Sequence, residues 1–179
     1  QIWYRYRKLW KFVNSLGQAY FYEYNEDGCL ESVVTPRGIQ GVFNEYDGMG
    51  RVVKQILPDG SVTELLYDDV NMRTYMKEPN DNMVTYESDE RFRNVKTNDE
   101  DGEEITKYNG NNQKTLHIDK LGNKTKFRYD AKGNLTGVTD ALGNTREFIY
   151  DGEKRITSVK LPGGGRIFHT YDKEGNLTE

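Results

Sequence analysis

Cysteine occurs once in this 179-residue sequence, at Cys29, which excludes an internal disulfide and any multi-cysteine metal site. No apolar run nears the roughly 20 residues a membrane-spanning helix needs. No long block of one charge sign exists either. The 25 basic and 29 acidic side chains leave a net charge of -4, and the one basic cluster is short: Arg5, Arg7, Lys8 and Lys11. A nucleic-acid-binding stripe is therefore not expected. The two histidines, His117 and His169, lie far apart in sequence, and no motif marks a serine or cysteine nucleophile. A catalytic triad needs three groups in mutual reach, and this spacing offers no sign of one, so the chain reads as a non-enzyme. No leader peptide is visible, which says little about location.

Hydrophobic residues make up 35%, below the usual 45–50% that also counts glycine. What the chain does have is 13 tyrosines, 18 glycines and 12% aromatic residues. Disorder goes with few aromatics and high net charge, and neither applies. The tyrosines are phased. Tyr24, Tyr46, Tyr67, Tyr86, Tyr108, Tyr129, Tyr150 and Tyr171 follow one another at intervals of 22, 21, 19, 22, 21, 21 and 21. Such a period means an array of supersecondary units.

The unit that begins at Tyr129 reads directly. Tyr129-Asp130-Ala131-Lys132-Gly133 is a turn and Asn134 to Thr139 a strand. Asp140-Ala141-Leu142-Gly143-Asn144 is a second turn, and Thr145 to Tyr150 the returning strand. That is one β-hairpin per repeat. The same phrase gives Tyr46, Asp47 and Gly50; Tyr150 and Asp151; and Tyr171, Asp172 and Gly175. Residues 2–13 read as a degenerate first repeat with its turn at 14–18, ahead of a strand over 19–24. Residues 67–108 are eroded, with an acidic turn at 98–104. No linker-like change of composition divides the chain, so 1–179 is expected to be a single array of about eight units, cut from something longer.

Stacked hairpins should place the tyrosines in a ladder of aromatic cross-strand pairs. Phe127 and Tyr129 should share a face, as should Phe148 and Tyr150, with Arg128 and Arg146 elsewhere. The aspartate after each tyrosine should cap its own turn rather than form a row of catalytic acids. Asp99, Asp101, Glu103 and Glu104 supply the oxygens calcium prefers, but no full binding-loop pattern accompanies them. Gly163-Gly164-Gly165 reads as a tight turn and not a phosphate cradle, since no helix with Lys-Ser/Thr follows. No cofactor or metal site is expected. The aromatic cluster at 2–12 is either a ligand platform or a packed interface.

The phrases Tyr46-Asp47-Gly48-Met49-Gly50-Arg51-Val52, Tyr129-Asp130-Ala131-Lys132-Gly133-Asn134-Leu135-Thr136 and Thr139-Asp140-Ala141-Leu142-Gly143-Asn144 resemble the YD repeats of the Rhs family. The resemblance covers about residues 14–179 and is weakest over 67–108. It implies an all-β fold, with tandem β-hairpin repeats forming a curved, open antiparallel sheet. It also implies a segment of a shell that encloses a C-terminal toxin or effector cargo, and a secreted or cell-surface location. The Asp-Pro phrase of the family's self-cleavage region is absent; Asp140-Ala141-Leu142-Gly143 is the nearest approach.

Two functions follow. The first is a shell wall whose partners are further YD repeats and an enclosed cargo. The second is a carbohydrate or cell-surface binding module that uses the repeated aromatics. Tyrosines packed between neighbouring repeats would favour the wall; tyrosines lining an open groove would favour a glycan. Bare strand edges also predict self-association.

Overall fold

One turn, used over and over, sets the strand boundaries. Asp130 is its clearest case. The Asp130 N–H donates to the Asn134 carbonyl (3.0 Å), and the Gly133 N–H donates to the Asp130 carbonyl (3.1 Å). The Asp130 carboxylate finishes the turn. Oδ1 accepts the N–H groups of Lys132 and Asn134, each at 2.9 Å, and Oδ2 accepts Asn134 Nδ2 at 2.9 Å. This is a type I turn followed by a residue in the left-handed region, the usual three-residue hairpin connection. The same pair of main-chain bonds closes fourteen turns among the described residues, at both ends of the hairpins. Ten of them carry glycine at the left-handed position. Asp81 (φ 66), Phe92 (φ 57), Asn112 (φ 62) and Lys154 (φ 66) hold it in the other four.

The computed structural model describes residues 1–178, which contain seventeen strands and no helix. They fall into two compact units, Gln1–Glu87 and Ser88–Glu179. The boundary lies in the eroded stretch of the repeat. The first unit is an antiparallel meander of β1 (Ile2–Arg5), β2 (Lys8–Val13), β3 (Ala19–Tyr24), β4 (Leu30–Val34), β5 (Gln40–Tyr46), β6 (Val52–Ile56), β7 (Val62–Asp68), β8 (Arg73–Lys77) and β9 (Met83–Ser88). The second runs through β10 (Asn94–Asp99), β11 (Gly102–Tyr108), β12 (Lys114–Ile118), β13 (Lys124–Tyr129), β14 (Leu135–Thr139), β15 (Thr145–Tyr150), β16 (Ile156–Lys160) and β17 (Arg166–Phe168). The fold is all-β, built of tandem hairpins in open antiparallel sheet.

Two segments differ from the sequence reading. Residues 2–13 form a hairpin of their own, turning at Tyr6 (φ 51) and Arg7 (φ 64). Two successive left-handed residues are the type I′ requirement, here met without asparagine or glycine. The acidic turn is tighter than 98–104: β10 runs on to Asp99 and β11 starts at Gly102, so only Glu100 and Asp101 lie in the loop. Lysines make this possible. Lys120 pairs with Asp99 at 2.5 Å, and Lys96 pairs with Glu103, which removes the repulsion that would hold the strands apart.

The register carries a feature that the sequence period hides. Just before Tyr24, Tyr46, Tyr108, Tyr129 and Tyr150 it slips by one residue. The extra residue sits on the following strand, at Glu31, Val53, Thr115, Thr136 and Thr157 respectively. Such a bulge sharpens the local twist. Thr115 and Thr157 use their hydroxyls to bond back to the Lys107 and Ile149 carbonyls.

Cross-strand partners share a face. One face of β13–β16 bears Phe127, Val138, Arg146, Phe148 and Val159, with Tyr129, Leu135, Tyr150 and Ile156 beside them. Arg146, expected apart from the aromatics, stands next to Phe148. The other face bears Arg128, Gly137, Glu147 and Lys160. Glu147 is bonded to Arg128 at 3.3 Å and to Lys160 at 3.2 Å. Arg128 lies flat over Gly137, where a Cβ would come within 2.8 Å of its guanidinium.

No second layer covers either face. Val84 is the one large hydrophobic residue buried among the described residues. The exposed area is 12499 Å², against about 8,900 Å² for a compact monomer of this mass. Stability must therefore come from contacts between neighbouring hairpins.

The turn analysis predicts opposite signs for two substitutions. Lys154→Gly relieves a left-handed side chain and should raise stability by about 0.5–1 kcal/mol, the relief offset in part by unfolded-chain entropy. Gly143 (φ 84) has open space around it, so Gly143→Val should cost about 1–2 kcal/mol through φ alone. Urea unfolding monitored by circular dichroism measures both.

Candidate functional site: the repeat interface and the aromatic groove

Seven of the eight phased tyrosines do the same thing. Each hydroxyl donates to a main-chain carbonyl at the start of the adjacent strand, the one its own strand folds back on. Tyr24 reaches Leu9 (2.8 Å), Tyr46 reaches Leu30 (2.5 Å), and Tyr67 reaches Val52 (2.8 Å). Tyr108 reaches Asn94 (3.3 Å), Tyr129 reaches Lys114 (2.9 Å), Tyr150 reaches Leu135 (2.8 Å), and Tyr171 reaches Ile156 (2.8 Å). Among the described residues Tyr86 makes no such bond. Burial raises the pKa of Tyr24, Tyr67 and Tyr150, so these phenols stay protonated and able to donate.

This corrects the expected ring ladder. Among the described residues no two phased tyrosines touch ring to ring; the aromatic pairs are Trp10–Phe21 and Phe12–Tyr20. The reason is spacing. Successive phased tyrosines are two strands apart, roughly 9.5 Å, too far for ring contact. Each tyrosine is tied instead to the adjacent strand of its own hairpin, through the phenol oxygen and, in three repeats, through an arginine. The Arg51 guanidinium lies 4.2 Å from the Tyr67 ring centre, Arg93 4.8 Å from Tyr108, and Arg155 4.9 Å from Tyr171. The turn aspartate holds each of them through Nε: Arg51 to Asp47 (2.8 Å), Arg93 to Asp89 (2.8 Å), Arg155 to Asp151 (2.7 Å). Where asparagine follows the turn, as at Asn134 and Asn176, it bonds Asp130 or Asp172.

The turn carboxylates are thus acceptors held in their charged form. The Arg93 side chain pulls Asp89 down to about 2. Main-chain and side-chain bonds from Arg51 lower Asp47, and those from Arg155 lower Asp151. The side chains of Asn134 and Asn176 lower Asp130 and Asp172. Gly50 (φ 77), Gly133 (φ 86) and Gly175 (φ 88) occupy the left-handed position of these turns.

The other sequence candidates do not converge. His117 sits in β12 with Thr106 Oγ1 3.4 Å from Nδ1, and His169 donates its N–H to the Thr157 carbonyl. Of the acidic set, Asp99 pairs with Lys120 and Glu103 with Lys96. The described residues hold no group of three metal-ligating side chains.

The aromatic cluster is different in kind. Arg5, Lys8, Trp10, Phe21, Tyr22 and Tyr24, with Tyr6, Glu23, Asn25 and Val34, line a groove of ≈ 740 Å³ in the first unit. It is open along one side. The sequence flagged its first half through residues 2–12; Phe21 to Asn25 join through the β2–β3 pairing.

Two measurements test the interface. Tyr150→Phe should cost about 1 kcal/mol, the net worth of one hydrogen bond, whereas Tyr86→Phe should leave the urea midpoint unchanged. Thermal stability should be flat from about pH 5 to about pH 8. The lowered aspartates contribute stability above their unfolded pKa of ~3.9, and that contribution is lost as pH falls through their folded values. Tm should therefore drop below pH 4 and go on dropping toward the value near 2 that Asp89 holds.

Comparison with known proteins bears on the same segments. Residues 108–145 and 129–167 match the RHS Repeat family model. No curated protein matches the chain in sequence. Among solved structures the chain is similar to the Photorhabdus luminescens Tc holotoxin pore carrying a TccC3 mutation, at 12% identity and a TM-score of 0.57 over 95% of this chain. It spans only 12% of the length of that chain. A TcdB2-TccC3 crystal structure matches at 12% identity over 94% of this chain and 15% of that one, with a TM-score of 0.32. The TcdB2-TccC3-Cdc42 structure does so at 11%, over 94% and 14%, with 0.31. Residues 108–167 thus carry RHS repeats, and the chain shares its hairpin fold with the holotoxin pore.

Proposed function

We propose that this chain is a stretch of wall in an Rhs/YD-repeat shell that encloses a C-terminal toxin or effector cargo. The observation that carries the reading is the placement of the phased tyrosines. Seven of them bond the end of a hairpin's returning strand to the start of its first strand, and in this role Tyr24, Tyr46, Tyr67, Tyr108, Tyr129, Tyr150 and Tyr171, with Asp47, Asp130, Asp151 and Asp172, define the repeat. A single-layer sheet stitched from neighbour to neighbour separates two compartments with little protein. The phrase runs in sequence through both units, which supports one array over 1–179. A wall needs no catalytic group, and the turn acids are occupied as acceptors. The proposed setting is secreted or at the cell surface, with further YD repeats as partners.

Glycan binding by the repeated aromatics would need their rings free, and the hydroxyl bonds argue against that use. Self-association through strand edges follows from unpaired main-chain groups wherever a repeat lacks its neighbour.

Protease protection tests the wall. A tagged polypeptide fused behind a full set of YD repeats should resist trypsin while the same polypeptide alone is digested. Equal digestion of both would remove the enclosure reading. For the 179-residue chain alone, sedimentation velocity should register dimers or larger species that grow with concentration, and a strict monomer throughout would count against edge pairing.

A further inference from the structure

We propose that Asn109 is a self-modifying residue, which loses its side-chain amide in the folded chain and becomes an aspartyl residue. The proposal is independent of the wall, since it concerns the chemistry of one turn. It begins with sequence. Asn109 is the one asparagine followed by glycine. It stands after the phased Tyr108, where Tyr129, Tyr150 and Tyr171 are followed by aspartate. Glycine leaves its main-chain nitrogen open to approach, because no Cβ stands beside it. Gly110 is exposed at the tip of the turn, and its N–H has no hydrogen-bond partner among the described residues. The Gly110 nitrogen gives up its proton and bonds to Asn109 Cγ. The Cγ–Nδ2 bond breaks, and the amide nitrogen leaves with that proton as ammonia. Water then opens the succinimide. Cleavage at Cγ leaves aspartate, and cleavage at the main-chain carbonyl leaves isoaspartate. One water is consumed and one ammonia released, with no oxidant or reductant.

The turn favours this reaction. Asn109 Oδ1 accepts the N–H groups of Asn111 (2.9 Å) and Gln113 (3.0 Å). Both donors point at the oxygen on which negative charge develops as Cγ is attacked. Two guanidinium groups lie alongside: Arg91 donates to the Gly110 carbonyl at 2.6 Å and Arg93 to the Asn109 carbonyl at 3.1 Å. Asn14 supplies an internal comparison. Its Oδ1 takes the same two main-chain bonds, from Leu16 and Gln18, but Ser15 follows it and no arginine bonds its turn among the described residues. The modification also has a consequence for the sheet. Gln113 accepts Asn109 Nδ2 on Oε1 and donates Nε2 to the Gly133 carbonyl in the next turn, each at 2.9 Å. An aspartate offers no N–H, and its oxygen repels Oε1. Gln113 must turn its amide to donate to that oxygen, and the bond to Gly133 is given up. Loss of one amide thus unties two neighbouring turns of the second unit.

Peptide mass mapping of the 179-residue chain reads the site directly. After incubation in mildly alkaline buffer, Asn109 should show the mass gain of oxygen replacing NH. It should convert at least about tenfold faster than Asn14. Gly110→Ala keeps the turn, since a Cβ there meets nothing within 4 Å, and should slow the conversion about tenfold or more. In Asn109→Asp the side-chain amide signals of Gln113 should move in the NMR spectrum, with circular dichroism unchanged. Any one of three results overturns the proposal: Asn109 left intact in a chain that circular dichroism shows to be folded, equal conversion at Asn14, or the full rate retained in Gly110→Ala. Gln113 signals that stay in place in Asn109→Asp would overturn the untying of the turns. Loss of protease protection, by contrast, would bear on the wall and leave this site untouched.

Discussion

A phenol oxygen that reaches back about fifteen residues is the contact on which the rest of the structure depends. A hairpin alone is marginal in water, and here no second layer buries either face of the sheet. Each repeat must therefore be held by the one before it. The main-chain ladder between hairpins does this, and the tyrosine hydroxyl fixes each hairpin by bonding a main-chain carbonyl of its first strand, where the register slips. One such bond contributes only about 1 kcal/mol, but it recurs with the repeat. Its acceptor is main chain, so it survives a side-chain change in the strand beside it.

The turn aspartate is the second fixed part, and its chemistry explains why rows of acids here do not amount to a catalytic surface. One oxygen takes two main-chain N–H groups and the other takes the side chain four residues on. When that residue is arginine, the carboxylate also aims a guanidinium at the next tyrosine ring, joining turn, side chain and following repeat. When it is asparagine, the amide closes the turn without adding a cation. The hairpins are thus not equally braced, and the residue after the left-handed position decides which kind each is. A carboxylate held below its ordinary pKa is a poor proton donor near neutrality, which suits a structural role.

Much of this could be read from residue order. The strands 19–24 and 145–150 fall where alternation and turn residues put them, because Asp-x-x-Gly chemistry is local. What could not be read was also local in appearance. Tyr6 and Arg7 make a type I′ turn, and Phe92 and Lys154 take left-handed positions that usually call for glycine. In each case the closure of the surrounding ladder outweighs a modest backbone cost. The groove was half visible: residues 2–12 stood out as aromatic and basic, but Phe21, Tyr22 and Tyr24 enter only through pairing.

By itself the sequence determined the period, the turn positions, the all-β class and the family likeness, since each rests on residues a few places apart. The tertiary structure decided how a tyrosine is linked to the strand beside it. Neighbour spacing in a sheet sets successive phased rings two strands apart, so the link had to be a hydrogen bond and an arginine instead of a stack of rings. It decided also that the bulge recurs beside these tyrosines and that lysines absorb the acidic turn. Those outcomes depend on which side chains meet across strands, and register is a property of the folded sheet.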